Sequence, residues 1–262
     1  MPGPRYLPLG VGDAFTARYY SCAVALEAPP QAVAAAGLDP AGPRWLLIDC
    51  PHPIRKMMAE ASRSAGVPLD VGDLLGVVVT HLHADHSSGL EGLGYFAHFV
   101  LRRRLPLLAH PDVLARLWDG HLAAGMEQLL PAVGAPFRSM QLEDYFDPRP
   151  LDPAGAVRLG PFEVACRTTI HHIPTTALRV AVAGRTLGHS ADTAFDPGLI
   201  AWLTEADVAL HETNHGVHTP YADLAALPAP VRAKLRLIHY PDEFDLAASA
   251  IEPLRQGTLY DL

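Results

Sequence analysis

The chain has 262 residues, 49 % of them hydrophobic and 18 % charged, with a formal net charge of −8. That balance marks an ordered globular chain without a disordered tail, long enough for a sizeable core and of a length that suits one domain. It excludes a broad nucleic-acid footprint, which runs on Lys and Arg, and Cys22, Cys50 and Cys166 are too few and too far apart for a disulfide framework or a cysteine zinc site.

Met1-Pro2-Gly3-Pro4-Arg5 leads into no uninterrupted apolar run of signal-peptide length, and no segment is long enough to span a bilayer. A soluble, unexported protein of the reducing cytoplasm is therefore expected. Two strands, around Tyr6 to Leu9 and Tyr19 to Leu26, flank the turn-rich Gly10-Val11-Gly12-Asp13, in itself a weak signal. Trp45-Leu46-Leu47-Ile48 is an apolar strand that delivers Asp49 at its end, and a helix from about Pro53 to Ser64 follows. His52 lies between two prolines and reads as an ordinary loop residue.

The next strand, Leu74-Leu75-Gly76-Val77-Val78-Val79, is a β-branched run of the buried kind, and it empties into Thr80-His81-Leu82-His83-Ala84-Asp85-His86. In an extended segment His81 and His83 point the same way, while Asp85 and His86 can serve a second centre as the chain turns into a helix. Imidazole and carboxylate donors suit zinc and also manganese or iron, so this is metal-ligand chemistry without thiolate.

Leu90, Leu93 and Phe96 continue as a helix, Leu105 to Ala109 is a short strand, and Pro111 to Leu130 carries apolar residues at helical spacing. The stretch around 92–133 thus reads as a helical insertion whose apolar stripe is core, a wall of the active site or a homodimer contact. Arg102-Arg103-Arg104 is a solvated helix end, His110 and His121 are surface or capping residues, and 136–160 is an ordered loop rich in Pro, Asp and Gly. Strand character resumes over Phe162 to Ile170 and ends at His171-His172. Neighbours on a strand face opposite ways, so one of the two is expected to bind metal. Three further pieces close the chain: Gly188-His189-Ser190-Ala191-Asp192-Thr193, then the buried strand Ala206 to Leu210 ending at His211-Glu212-Thr213 with His218 beyond it, then Leu235 to Ile238 ending at His239.

His81-Leu82-His83-Ala84-Asp85-His86 resembles the HxHxDH signature of the metallo-β-lactamase superfamily, and the later strand ends follow in that family's order. The likeness covers nearly the whole chain and implies an α/β fold, an αββα sandwich of two mixed β-sheets flanked by helices, in a single domain over 1–262. It selects His171 over His172 as third imidazole and matches Asp192 to the aspartate of an SGDT motif, with Ala191 where glycine is usual. Two divalent ions, zinc first and manganese or iron otherwise, would sit among His81, His83, His171 and Asp192 on one side and Asp85, His86, His239 and Asp192 on the other. Asp49 would orient ligands through hydrogen bonds. His211-Glu212-Thr213 and His218 resemble elements of the tRNase Z-like and cyclic phosphodiesterase branch, as does the Gly10 to Asp13 turn, although Val11 replaces a small residue there.

The implied activity is hydrolysis of a small anionic phosphodiester, cyclic nucleotides and other cyclic phosphodiesters included, by water that the metals activate. Asp85 would take a hydrogen bond from the nucleophile, and Glu212 and His218 would protonate the leaving group. The alternatives are a lactone, ester or thioester hydrolase of the same fold and a non-catalytic metal-binding module. A tRNA precursor is not expected, because the span from His171 to Asp192 leaves room only for a hairpin where tRNase Z enzymes carry a long arm.

Overall fold

The computed structural model describes residues 3–262. In chain order, β1 (Arg5–Gly10), β2 (Ala23–Glu27), β3 (Trp45–Ile48), β4 (Leu74–Val79) and β5 (Leu105–Ala109) come first, and β6 (Gln128–Leu129) and β7 (Arg138–Ser139) form a small hairpin. They are followed by β8 (Phe146–Pro150), β9 (Ala156–Leu159), β10 (Phe162–Thr168), β11 (Thr176–Val182), β12 (Arg185–His189), β13 (Val208–Glu212), β14 (Leu235–Ile238) and β15 (Tyr260–Asp261). The first large sheet runs β15-β1-β2-β3-β4-β5-β8 and the second β14-β13-β12-β11-β10-β9. Both are mixed: β3, β4, β5 and β8 are parallel, as are β12, β13 and β14, and the remaining pairs are antiparallel.

Alternation along β4 shows how the layers assemble. Val78 faces a core between the sheets that includes Leu26, Ile48, Val164, Leu178 and Leu187, whereas Val77 and Val79 join the opposite core with Met57 and Met58 of the helix Ile54–Ala65. A strand covered on both faces needs apolar residues at every position, which accounts for its unbroken hydrophobic run. This is the expected sandwich of two mixed sheets with helices outside.

Elsewhere the structure departs from the sequence reading. The single helix expected over Pro111 to Leu130 is instead a helix at Pro111–Leu117, a π-helical turn at Trp118–Leu122, a short helix at Ala123–Met126 and then β6. Val113, Leu117, Leu122 and Met126 are nonetheless all buried, so the widened turn re-aims the stripe while keeping its apolar face inward. Within 92–133 the helices are interrupted by β5, which pairs with β4 and β8. The stretch 136–160, expected as loop, supplies β7, a helical turn at Leu142–Tyr145, β8 and β9. Pro148 and Pro150 hid β8, and they are tolerated because an edge strand can spare the outward N–H. Between β11 and β12 the turn is the two-residue Ala183-Gly184, both at positive φ, a tight hairpin. Among the described residues no helix is long and apolar enough to cross a membrane.

Candidate metal centre

Parallel strands deliver side chains at their C-terminal ends, and here five of them, β3, β4, β12, β13 and β14, end at one edge of the sandwich. Asp49 follows β3, Thr80 to His86 follow β4, Ser190 to Asp192 follow β12, Glu212 closes β13 and His239 follows β14. Asp49, Ala191 and His239 hold positive φ, at 61°, 51° and 52°. Non-glycine residues pay for that backbone, and three such turns at one edge mark a site whose geometry is imposed by the strands around it. Ala191 stands in the left-handed region that glycine enters at least cost, in keeping with the glycine of the SGDT motif that this segment resembles.

The hydrogen bonds determine which ring nitrogens face inward. Fully buried Asp49 accepts at Oδ1 from the Thr80 amide (2.8 Å) and at Oδ2 from the Thr80 hydroxyl (2.8 Å). His86 Nδ1 lies 2.8 Å from the same Oδ2, so it carries the proton and leaves Nε2 free. The Thr80 hydroxyl has given its one proton to Asp49, so its contact with His81 Nδ1 (3.0 Å) must be an acceptance from the ring, and His81 Nε2 is bare as well. One carboxylate thereby sets two imidazole tautomers.

Those bare nitrogens meet in two groups. His83 Nδ1 lies 3.1 Å from both His81 Nε2 and His171 Nε2, and Asp192 Oδ2 is 3.7 and 3.6 Å from those two Nε2 atoms. On the other side, Asp85 Oδ2 is 3.3 Å from His86 Nε2 and 3.2 Å from His239 Nε2, with Asp192 Oδ1 3.2 and 3.6 Å from the same nitrogens. Asp192 therefore turns one oxygen to each group. In each, four ligand atoms lie within 4.8 Å of one another, a spacing that could hold a metal ion. His86 Nε2 and Asp192 Oδ1 are buried without a hydrogen-bond partner, a costly state for polar atoms unless a cation takes their lone pairs. The residues present thus fit metal binding.

Electrostatics agree. Burial pushes the His81 imidazole well below its ordinary range and His171 down to about 4, so both present lone pairs at neutral pH. For His86, burial is outweighed by Asp192 and Asp49, which hold it well above the usual value, so without an ion Nε2 carries a second proton that a bound cation would displace; Asp192 itself is kept well below the carboxylate range because His239 and His86 outweigh its burial. Such a site favours positive charge at its centre.

Beside the second group, His218 Nδ1 is 2.9 Å from both oxygens of Glu212 and 3.9 Å from Asp192 Oδ2. Glu212 is buried, and burial together with the Asp192 charge pushes its carboxyl well above the usual range. The seven expected ligands, with Asp49, Glu212 and His218, converge here. His172 lies outside both donor groups, though it lines the cavity above them: it is exposed, its ring centroid 5.1 Å from that of His171, whose side chain is 1 % exposed. His189 and His211 are buried outside both groups, accepting from Ala191 N (3.1 Å) and bonding Glu212 O (2.7 Å) respectively. His110 caps the helix Pro111–Leu117, and His52 lines a separate shallow pocket.

A cavity of about 730 Å³ opens above the donors, bounded by Asp13, Phe15, Thr16, Asn214, Val217, Asp242 and Glu243 as well as by His83, His171, Asp192 and His218. The first seven escaped the sequence reading. They come from three loops that carry no repeated spacing, and only the Gly10 to Asp13 turn hinted at one of them.

A family model for Anti-Pycsar protein Apyc1 matches residues 5–257. Proteins named Anti-Pycsar protein Apyc1 from Bacillus phage 010DV004 and Saccharibacillus brassicae are each 29 % identical to the chain, the first over 97 % of it and 96 % of the relative, the second over 97 % and 98 %. Among solved structures, the metallo-β-lactamase fold protein YhfI from Bacillus subtilis superposes with a TM-score of 0.70 at 15 % identity, covering 98 % of this chain and 99 % of YhfI. Human tRNase Z, short form, gives 0.65 at 17 % (98 % of each chain), and a diphosphatase from the PhnP family 0.67 at 13 % (99 % and 98 %). The fold is that of the metallo-β-lactamase superfamily. The chain belongs to the Anti-Pycsar protein Apyc1 family and is a metal-dependent hydrolase.

Proposed function

We propose that this member of the Apyc1 family is a phosphodiesterase that hydrolyses a small phosphodiester, with a cyclic nucleotide as the best candidate, at a site of two divalent ions, zinc first. The observation that carries the reading is the Glu212–His218 pair, held 2.9 Å apart and 3.9 Å from the carboxylate that faces both donor groups. Ions bound there would lower the pKa of water and neutralise charge on phosphoryl oxygens. Asp192 orients both halves of the site, and Asp85, tied to His86 and His239, is positioned to accept a hydrogen bond from the attacking water.

The harder step is departure of the alkoxide, which needs a proton near neutral pH. Burial and the Asp192 charge favour the protonated Glu212 carboxyl, and with His218 Nδ1 committed to Glu212 the opposite ring nitrogen faces the cavity, placed to pass a proton to the leaving oxygen. The tight Ala183-Gly184 turn and the formal net charge of −8 support a small substrate over a tRNA precursor, and the name of the diphosphatase neighbour supports a phosphorus centre.

The test is a rate panel on metal-loaded protein: cyclic nucleotides and bis(p-nitrophenyl) phosphate against a lactone, a carboxylic ester and a thioester. Preference for the phosphodiesters is expected. A lactone or thioester turned over with higher kcat/KM than any phosphodiester would overturn the reading.

A further inference from the structure

Phe15 bounds the cavity that holds His83, His171 and Asp192, yet 92 % of it is exposed. A lone exposed aromatic means little by itself; this one is clamped. Its amide donates to Asp13 Oδ1 (2.9 Å), and the other oxygen of buried Asp13 accepts from Asn214 Nδ2 (2.9 Å). One residue on, the Thr16 hydroxyl donates to Asp242 Oδ1 and the Ala17 amide to Asp242 Oδ2 (2.8 Å). Gly12 lets the turn close, because a Cβ there would come within 2.6 Å of the Thr16 side chain. Loops after β13 and β14 thus hold the Phe15 segment from both ends, so the backbone that carries the ring is already ordered and only the ring's own rotamer freedom is lost when a ligand stacks on it.

Charge around the cavity narrows what that ligand can be. The residues bounding it include carboxylates Asp13, Asp85, Asp192, Asp242 and Glu243, and among the described residues that bound it there is no lysine or arginine. A polyphosphate or terminal phosphate would find no lysine or arginine to meet it. One phosphodiester anion needs none beyond the ions, and the rest of its binding must come from apolar surface, of which Phe15 is the largest and most exposed piece.

We propose that Phe15 is the specificity-determining residue of this site, its ring stacking on a heteroaromatic group of a singly charged phosphodiester, an inference that rests on the phosphodiesterase reading above. The test uses the metal-loaded protein with two substrates that share one leaving group, a nucleoside 3′,5′-cyclic phosphate and the 3′,5′-cyclic phosphate of methyl riboside, which lacks the base. Phe15→Ala should lose about tenfold in kcat/KM for the nucleotide, chiefly through KM, in line with the usual worth of base–aromatic stacking. It should lose nothing for the methyl riboside, and Phe15→Trp should restore the nucleotide rate. Equal losses on both substrates, or no loss on either, would overturn the role of Phe15 while leaving phosphodiesterase activity intact. Failure of the unaltered protein to cleave either substrate alongside ready cleavage of a lactone would overturn both.

Discussion

The floor of the cavity and its rim are built by opposite strategies. On the floor, buried side chains at the ends of five strands are each held from several directions: Asp49 alone receives two hydrogen bonds from Thr80 and one from His86. At the rim, Phe15, Val217 and Glu243 are exposed, and polar clasps such as Asp242 to the Ala17 amide hold backbone rather than any reacting group. The difference teaches that chemistry is fixed by the sandwich itself, whereas substrate choice rests on loops that can change without disturbing it. Changes to the floor should therefore cost metal and rate, and changes to the rim only selectivity.

The largest expected effect comes from Asp192. Since its two oxygens serve the two donor groups, Asp192→Ala should bring metal content below about two ions per chain and drop turnover of every substrate to background. Chelation should do the same reversibly, with activity returning on addition of zinc or manganese. Metal analysis checks both, and an Asp192→Ala protein that keeps its full metal content would break the bridging role. Next is His218→Ala, which should keep its metals and lose roughly 10²–10⁴-fold on poor leaving groups. On a p-nitrophenyl ester, which leaves without a proton, the loss should nearly vanish; equal losses on both would remove His218 as the acid. Smaller again is Asp49→Asn, which cannot accept all three hydrogen bonds and presents an N–H where His86 needs an acceptor. Metal affinity should fall by about 10–100-fold, as is usual for residues that orient ligands, and titration with a competing chelator would show it.

The same division explains what could be read from the chain. His81, His83, Asp85 and His86 follow a run of valines too apolar to be anything but a buried strand, so their convergence followed from strand geometry, and Asp192 was recognisable despite Ala191 because the carboxylate survived. The sandwich came from the resemblance to the metallo-β-lactamase superfamily, since apolar strands mark buried sheets without saying how those sheets pack. Phe15, Asn214 and Asp242 were not legible, since each lies on a loop without periodicity and they meet only through the fold. Nor was β8, whose prolines argue against a strand everywhere except at an edge, or the π-helical turn at Trp118–Leu122, which leaves the apolar spacing of the stripe almost unchanged.

The smallest effect on activity, and the sharpest test of the boundary between floor chemistry and plain structure, concerns His211. Its place beside Glu212 in a recognisable motif invites a catalytic role, but its ring is buried outside both donor groups, with Nδ1 donating to the Glu212 carbonyl (2.7 Å) and Nε2 unpartnered. Burial, only partly offset by that carbonyl, lowers its pKa from 6.5 to about 4. A group that is easier to protonate unfolded than folded costs nothing above pH 6.5, weakens the fold progressively as pH falls from 6.5 to 4, and levels off below. At pH 5 the loss is about 2 kcal/mol by the usual conversion, or roughly 4–8 °C in melting temperature for a chain of this size. Asparagine can offer the same donor without the titration. His211→Asn should therefore melt several degrees closer to its neutral-pH value at pH 5 than the unaltered protein does, with kcat/KM at pH 7.5 within about twofold, since nothing that touches substrate has changed. His189, held neutral by burial to about 4 in the same way, continues to titrate in both proteins, so some acid lability must remain. An unchanged melting profile would show that His211 does not carry the acid sensitivity, and a collapse of activity at neutral pH would move it from the scaffold into the site.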